Sequence, residues 1–233
     1  MEDGKAMNKL NVLYEDNHII VVEKPVNVLS QGDCTGDVDM LTLVKSYIKE
    51  KYQKPGDVYC GLVHRLDRPV GGIMVFARTS KAASRLSKEM SSSFKKKYLA
   101  VVSGIIEKDE GVLIDYLERL PNGSTIVTNE KRGKRSELSF RVLERNDEKK
   151  ETLVEVTLKT GRHHQIRVQF AHFGYPLCGD QRYHVQDQTQ IALYAYFLSF
   201  IHPVKKEIMS FSLTPSGQDY WTNFTMSKYV KFK

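Results

Sequence analysis

The chain has 233 residues, 41% hydrophobic and 27% charged, and its 35 Lys and Arg against 28 Asp and Glu leave a balance of +7. That length buries a full core as one large domain or two small ones, and the composition excludes a disordered chain. No apolar run approaches the roughly 20 residues of a membrane span, and residues 1–60 carry −3 while residues 61–233 carry +10, so a polyanionic partner is expected to meet the later part.

Residues 11–14 and 18–22 read as short strands around a turn. Residues 38–52 place Leu41, Val44, Tyr47 and Ile48 on one helical face. Residues 72–76 form an apolar strand. A helix follows over 80–90, with a cap signal at Thr79 and Ser80. Four segments rich in β-branched and aromatic residues, 98–103, 111–116, 136–142 and 152–158, read as strands. Residues 161–173 read as a helix stopped by Gly174 and Pro176. Residues 191–201 and 206–213 close the chain as an antiparallel pair around a turn at 202–205. Strands are grouped rather than alternating with helices. The expected fold class is α+β, with a large, mostly antiparallel mixed sheet flanked by helices. One domain over residues 10–220 is expected, with 1–9 and 221–233 as terminal extensions.

Cys34, Cys60 and Cys178 are odd in number and widely spaced, which argues against a disulfide framework or a structural zinc site. The first residues hold no apolar stretch of a secretory type. The sequons at Asn122 and Asn223 therefore read as chance matches, and a cytoplasmic location is expected.

Chemistry concentrates in two segments. In residues 61–78, GLVHRLDRPVGGIMVFAR, the side chains of His64, Arg65, Asp67 and Arg68 precede a turn and an apolar strand. A lone Asp before a strand is ordinarily a turn former. Two arginines beside it favour an ionised carboxylate, able to act as nucleophile or base, and can themselves hold an anionic substrate. In residues 160–180, TGRHHQIRVQFAHFGYPLCGD, the cluster is Arg162, His163, His164, Gln165 and Arg167 at the start of the expected helix, where the backbone favours phosphate. A zinc reading of His163, His164 and His172 lacks the metalloprotease spacing and a thiolate. Basic runs at 95–97 and 131–135, the latter in an expected hairpin, suit a phosphate backbone or a merely solvated face. No glycine-rich phosphate loop occurs, so a nucleotide cofactor is not expected.

Taken together, these segments resemble the RluA-type family of RNA pseudouridine synthases. The similarity runs through nearly the whole chain in one order: YEDNHIIVVEKPVNVLSQ at 14–31, HRLD at 64–67, KYLA at 97–100, TGRHHQIRV at 160–168 with GYPLCGD at 174–180, and Leu193–Ala195 with His202 and Pro203. KYLA resembles the family's Lys-x-Tyr region in a contracted form. Val70 and Gly71 stand where many relatives have Thr-Ser, and His163 replaces a frequent Thr. With the first motif at residue 14, a preceding small RNA-binding domain is not expected.

The resemblance implies isomerisation of a uridine within RNA, rRNA or tRNA, to pseudouridine, with no metal, no redox cofactor and no energy donor. It carries Asp67 over as the essential aspartate, which attacks the ribose anomeric carbon or abstracts a proton to form a glycal. Arg167 is carried over as its ion-pair partner, and Tyr98 as the ring against which the base stacks. Arg65 is expected near the gap left when the uridine leaves its stack. His64, Arg68, Lys97, Arg162, His164 and Gln165 are expected RNA or substrate contacts, and Leu193 an apolar wall of the base pocket. A monomer without membrane association is expected. Two other classes stay open: an RNA-binding protein without turnover, and a carboxylate hydrolase of sugars, which needs a second acid near Asp67.

Overall fold

The computed structural model describes residues 10–90, 92–184, 189–216 and 219–229. Its strands are β1 (Val12–Glu15), β2 (Ile19–Lys24), β3 (Gly61–Leu62), β4 (Gly71–Ala77), β5 (Lys95–Ser103), β6 (Glu110–Arg119), β7 (Thr125–Thr128), β8 (Lys134–Asn146), β9 (Glu151–Leu158), β10 (Leu193–Ile201) and β11 (Ile208–Ser212). The helices are α1 (Met40–Lys51), α2 (Ser80–Glu89) and α3 (Gln165–His172). Among the described residues the strands form one 11-stranded sheet in the order β1-β2-β4-β10-β5-β9-β8-β6-β7, with β3 on β4 and β11 on β10. One pair is parallel, β4 with β10, and it covers only Tyr194 opposite Gly71 and Ala195 opposite Gly72. The expected α+β class and mostly antiparallel sheet are what the chain adopts.

That short parallel contact depends on Gly72. Its φ is +132°, and a Cβ there would lie 2.4 Å from the Ala195 carbonyl oxygen. Only glycine lets the two backbones meet so closely. Beyond this contact β4 and β10 part, and β3 and β11 take up the freed edges. The loop carrying Asp67 leads directly into this junction.

Local chemistry explains the helices. Asp39 caps α1 by accepting from Thr42 N at 3.1 Å, and Met40, Val44 and Ile48 are buried at four-residue spacing. Thr79 caps α2 by accepting from Ala82 N at 3.1 Å, as its sequence position indicates. The third helix is shorter than expected. Residues 161–164 are loop, and His164 enters α3 with a left-handed φ of 52°. The cause is Gln165, whose Oε1 accepts from Arg162 N and Thr160 Oγ1 while its Nε2 donates to the Glu137 carbonyl. These bonds tie the loop to β8 and compete with helical pairing.

β5 alternates between two cores. Tyr98, Ala100 and Val102 join α1 and α3 side chains such as Val44 and Phe170, while Leu99 and Val101 join Trp221 and Phe224. The chain therefore stays packed past residue 220, where an extension was expected to begin. Tyr229 still donates its hydroxyl to the Leu143 carbonyl at 3.2 Å. The basic run at 131–135 is also not in a hairpin. β7 and β8 flank β6 on opposite sides, so the connection steps across β6. Gly133 makes the crossing possible, since a Cβ there would lie 2.8 Å from the Tyr116 carbonyl carbon.

Candidate active site

Asp67 sits in the loop between β3 and β4 and lines a cleft of about 1070 Å³. Three distant side chains fix the backbone around it. Ser30 Oγ donates to the Leu66 carbonyl at 2.7 Å and accepts from Leu66 N at 3.0 Å. Lys24 Nζ donates to the carbonyls of Arg68 and Pro25 at 2.9 and 3.0 Å. Gln190 Nε2 donates to the Pro69 carbonyl at 2.5 Å. Lys24 is fully buried. Burial drives its pKa down to about 7, and the nearby charge of Asp67 only partly offsets this.

Arg167, from the first turn of α3, reaches Asp67 Oδ2 with Nη1 at 3.4 Å. Its stronger partner is Asp180, which receives Nε at 2.8 Å and Nη2 at 2.7 Å as a bidentate pair. The Asp180 side chain is completely buried. Burial opposes the guanidinium charge, but the bonds to Asp180 outweigh it, and Asp67 adds to them; the net shift is upward. The Arg167 Cζ also lies 5.3 Å from the Tyr183 ring centroid. Asp180 is the second carboxylate that a sugar hydrolase would need, yet both its oxygens are committed to Arg167.

His164 Nε2 lies 3.6 Å from the same Asp67 Oδ2. Burial first, then the charge of Arg167, push the His164 pKa down to about 2, so the ring stays neutral. Tyr98 is buried in the sheet core beside the site. Burial, then the Asp67 charge, push its phenol above the ordinary range, so the hydroxyl keeps its proton.

The structure thus brings together Asp67, Arg167 and His164, with Arg68 on the cleft wall in an ion pair to Asp37 at 2.8 Å. Arg162 is exposed on the loop before α3. Arg65 is exposed and donates to Gln31 at 2.9 Å. Leu193 is buried with Tyr98 and lines a neighbouring hollow of about 500 Å³ rather than the cleft.

Three expected RNA contacts are corrected. His64 is buried, and its Nε2 accepts from Val75 N at 3.1 Å, which anchors the Asp67 loop to β4. Gln165 is buried, and its amide ties its own loop together and to β8. Lys97 points away from Tyr98, because neighbours on a strand face opposite ways, and pairs with Glu155 at 3.1 Å. The lysine on the Tyr98 side is Lys96, so the Lys-x-Tyr spacing is intact as Lys96, Lys97, Tyr98 and is not contracted. Lys24, Asp180, Tyr183 and Gln190 support the site without having been assigned a role from sequence. Lys24 and Asp180 stand inside quoted motifs, whereas nothing local marked Gln190. Among the described residues, no group of three or more His, Cys, Asp or Glu is placed to hold a metal ion.

Comparison with known proteins follows the same lines. Residues 18–172 match the family described as RNA pseudouridylate synthase. The chain is 33% identical over 219 residues to an uncharacterized RNA pseudouridine synthase of Aquifex aeolicus, covering 88% of this chain and 69% of that protein. It is 35% identical over 229 residues to the uncharacterized RNA pseudouridine synthase YjbO of Bacillus subtilis, covering 95% of this chain and 76% of that protein. It is 33% identical over 213 residues to ribosomal large subunit pseudouridine synthase D of Nitrosomonas europaea, covering 86% and 60%. Its fold is similar to that of human RNA pseudouridylate synthase domain containing 4, with a TM-score of 0.74 at 18% identity over 91% of this chain and 90% of that one.

Proposed function

The chain belongs to the RNA pseudouridylate synthase family, in its RluA-type branch, and is an isomerase acting on RNA; from that premise we propose that it converts specific uridines of a structured RNA, rRNA or tRNA, to pseudouridine through Asp67. Four relatives bear ribosomal large-subunit names, which puts rRNA first. The observation that carries the role of Asp67 is its position in the cleft lining, with Oδ2 facing Arg167 at 3.4 Å and His164 at 3.6 Å. The Arg167 cation orients that oxygen, and the neutral His164 ring stands just beyond hydrogen-bond reach of it.

In the reaction the bond from ribose C1′ to uracil N1 breaks and C5 joins C1′. N1 gains a proton, and the C5 proton leaves to solvent. Asp67 acts at the sugar, by attack on C1′ or by proton abstraction, and the Tyr98 ring supports the base. The target uridine must leave its stack to reach this cleft. Arg68, Arg162 and Arg65 then serve the flanking RNA. No described helix is long and apolar enough to cross a membrane, and the proposed setting is a cytoplasmic monomer meeting folded RNA. The sugar-hydrolase reading loses its second acid to Arg167.

The test is release of tritium from RNA labelled at uracil C5. The chain releases it from total rRNA or tRNA of the source organism, and Asp67→Asn abolishes release. No release from either RNA pool refutes the assignment, and sequencing the modified sites identifies the uridine.

A further inference from the structure

We propose that Tyr183 is a positioning residue for Asp67: its hydroxyl fixes His164 in one tautomer, with the Nε2–H directed at Asp67 Oδ2. This rests on the reading that Asp67 is the reactive carboxylate.

The proton count follows from three contacts. Tyr183 Oη accepts from Thr125 N at 3.0 Å. Its single proton is then free for His164 Nδ1, at 2.8 Å. Nδ1 is therefore an acceptor, and the proton of the neutral ring sits on Nε2, 3.6 Å from the carboxylate. The opposite tautomer would aim the Nε2 lone pair at Asp67 and leave the tyrosine proton without an acceptor among the described residues. The groups facing His164 are Asp67, Arg167, His163, Arg182, Arg119 and Tyr183; burial first, then the cations among them, keep the ring uncharged.

The ring plane is fixed as well. His163 stacks on His164 with centroids 3.8 Å apart and 29° between planes. His163 Nδ1 in turn meets Thr125 Oγ1 at 2.9 Å. Both histidines thus answer to Thr125, at the start of β7. The Tyr183 ring also faces the Arg167 guanidinium. One residue therefore supports both side chains that approach Asp67 Oδ2. No proton changes hands in this arrangement. As the carboxylate engages the sugar, the Nε2–H donates a hydrogen bond that steadies its charge.

The test compares Tyr183→Phe, His164→Gln and His164→Leu with Asp67→Asn, using tritium release and the imidazole nitrogen shifts of His164. Glutamine places an amide donor near the Nε2 position, and leucine does not. In the unmodified chain, Nδ1 carries an unprotonated signature and Nε2 a protonated one from pH 5 to 9. Tyr183→Phe and His164→Leu each lower kcat about 10-fold or more, with KM for RNA within about twofold and melting near the parent value. His164→Gln recovers most of the loss. A protonated Nδ1, an unchanged kcat in Tyr183→Phe, or equal losses in His164→Gln and His164→Leu overturns the relay alone. Turnover surviving in Asp67→Asn overturns the Asp67 reading and the relay with it.

Discussion

Arg167 and Arg135 hold their carboxylates at almost the same distance, 2.7 Å to Asp180 and 2.6 Å to Glu137. Their surroundings separate them. The Arg167 side chain is 7% exposed and its partner fully buried, whereas the Arg135 side chain is 50% exposed. Water can replace the partner of Arg135, and added salt screens it. Water does not readily replace the partner of Arg167, so removing Asp180 leaves a buried cation with only the longer contact to Asp67. The same chemical pair is architecture in one place and a solvated surface in the other.

The comparison breaks most sharply at Asp180. Asp180→Ala leaves the Arg167 guanidinium buried with Asp67 as its remaining carboxylate. The expected loss is about 3–5 kcal/mol of unfolding free energy, read by urea denaturation, with turnover lost as well. An unchanged midpoint would place Arg167 in the surface class.

Lys24 offers a sharper pH test of the same idea. Its folded pKa of about 7 lies below the ordinary 10.5. Between those values the unfolded chain holds a proton that the folded chain has released, so stability from this group rises with pH across that window. Below pH 7 its burial cost is present in full. Lys24→Met removes the titration, so the difference in Tm between parent and variant shifts in favour of the parent from pH 7 to 9. A difference that stays flat with pH means that Lys24 keeps its charge.

The smallest effect on folding belongs to the crossover. Replacing Lys131, Arg132, Lys134 and Arg135 with Gln leaves the melting temperature near the parent value. It weakens RNA binding and flattens the dependence of affinity on salt, while turnover at saturating RNA changes less. Two of the four arginine and lysine charges are already paired, Arg132 with Glu118 and Arg135 with Glu137, so Lys131 and Lys134 are expected to carry most of the change. An unaltered salt slope assigns the run to plain solvation.

The contrast between local and distant causes also sets what was legible in the sequence. β4 and β9 are dense in apolar and β-branched residues, and α2 announces itself through Thr79; these signals sit within a few residues of their effect. The start of α3 was misplaced because Gln165 bonds to β8, 28 residues away in the chain. β7 was missed because four residues, TIVT, are too few for alternation to register. At the site, Asp67 and Arg167 were readable from their motifs. His64 and Gln165 sit in the same motifs but act on backbone, which a list of polar residues does not distinguish from substrate contact. Strand alternation alone would have moved attention from Lys97 to Lys96. Gln190 and Tyr183 reach across loops to Pro69 and Thr125, and only the folded chain brings them there.

The bonding around Arg167 has a consequence for what can enter the cleft. The cleft holds two carboxylates, Asp67 and Asp180, against one guanidinium and an uncharged His164, and burial weakens the charge of the neighbouring Lys24. The surroundings of Asp67 are therefore close to neutral or slightly negative, although the chain as a whole is +7. Positive charge stands on Arg68 and Arg182 along the wall and on the exposed Arg119 and Arg162. A phosphodiester gains by stopping at those arginines and gains nothing by going on to Asp67. An uncharged base with its ribose meets no such barrier. On the proposed reading of Asp67, such a cleft would sort a nucleotide by charge, drawing its backbone to the exposed arginines and admitting the uncharged base and ribose.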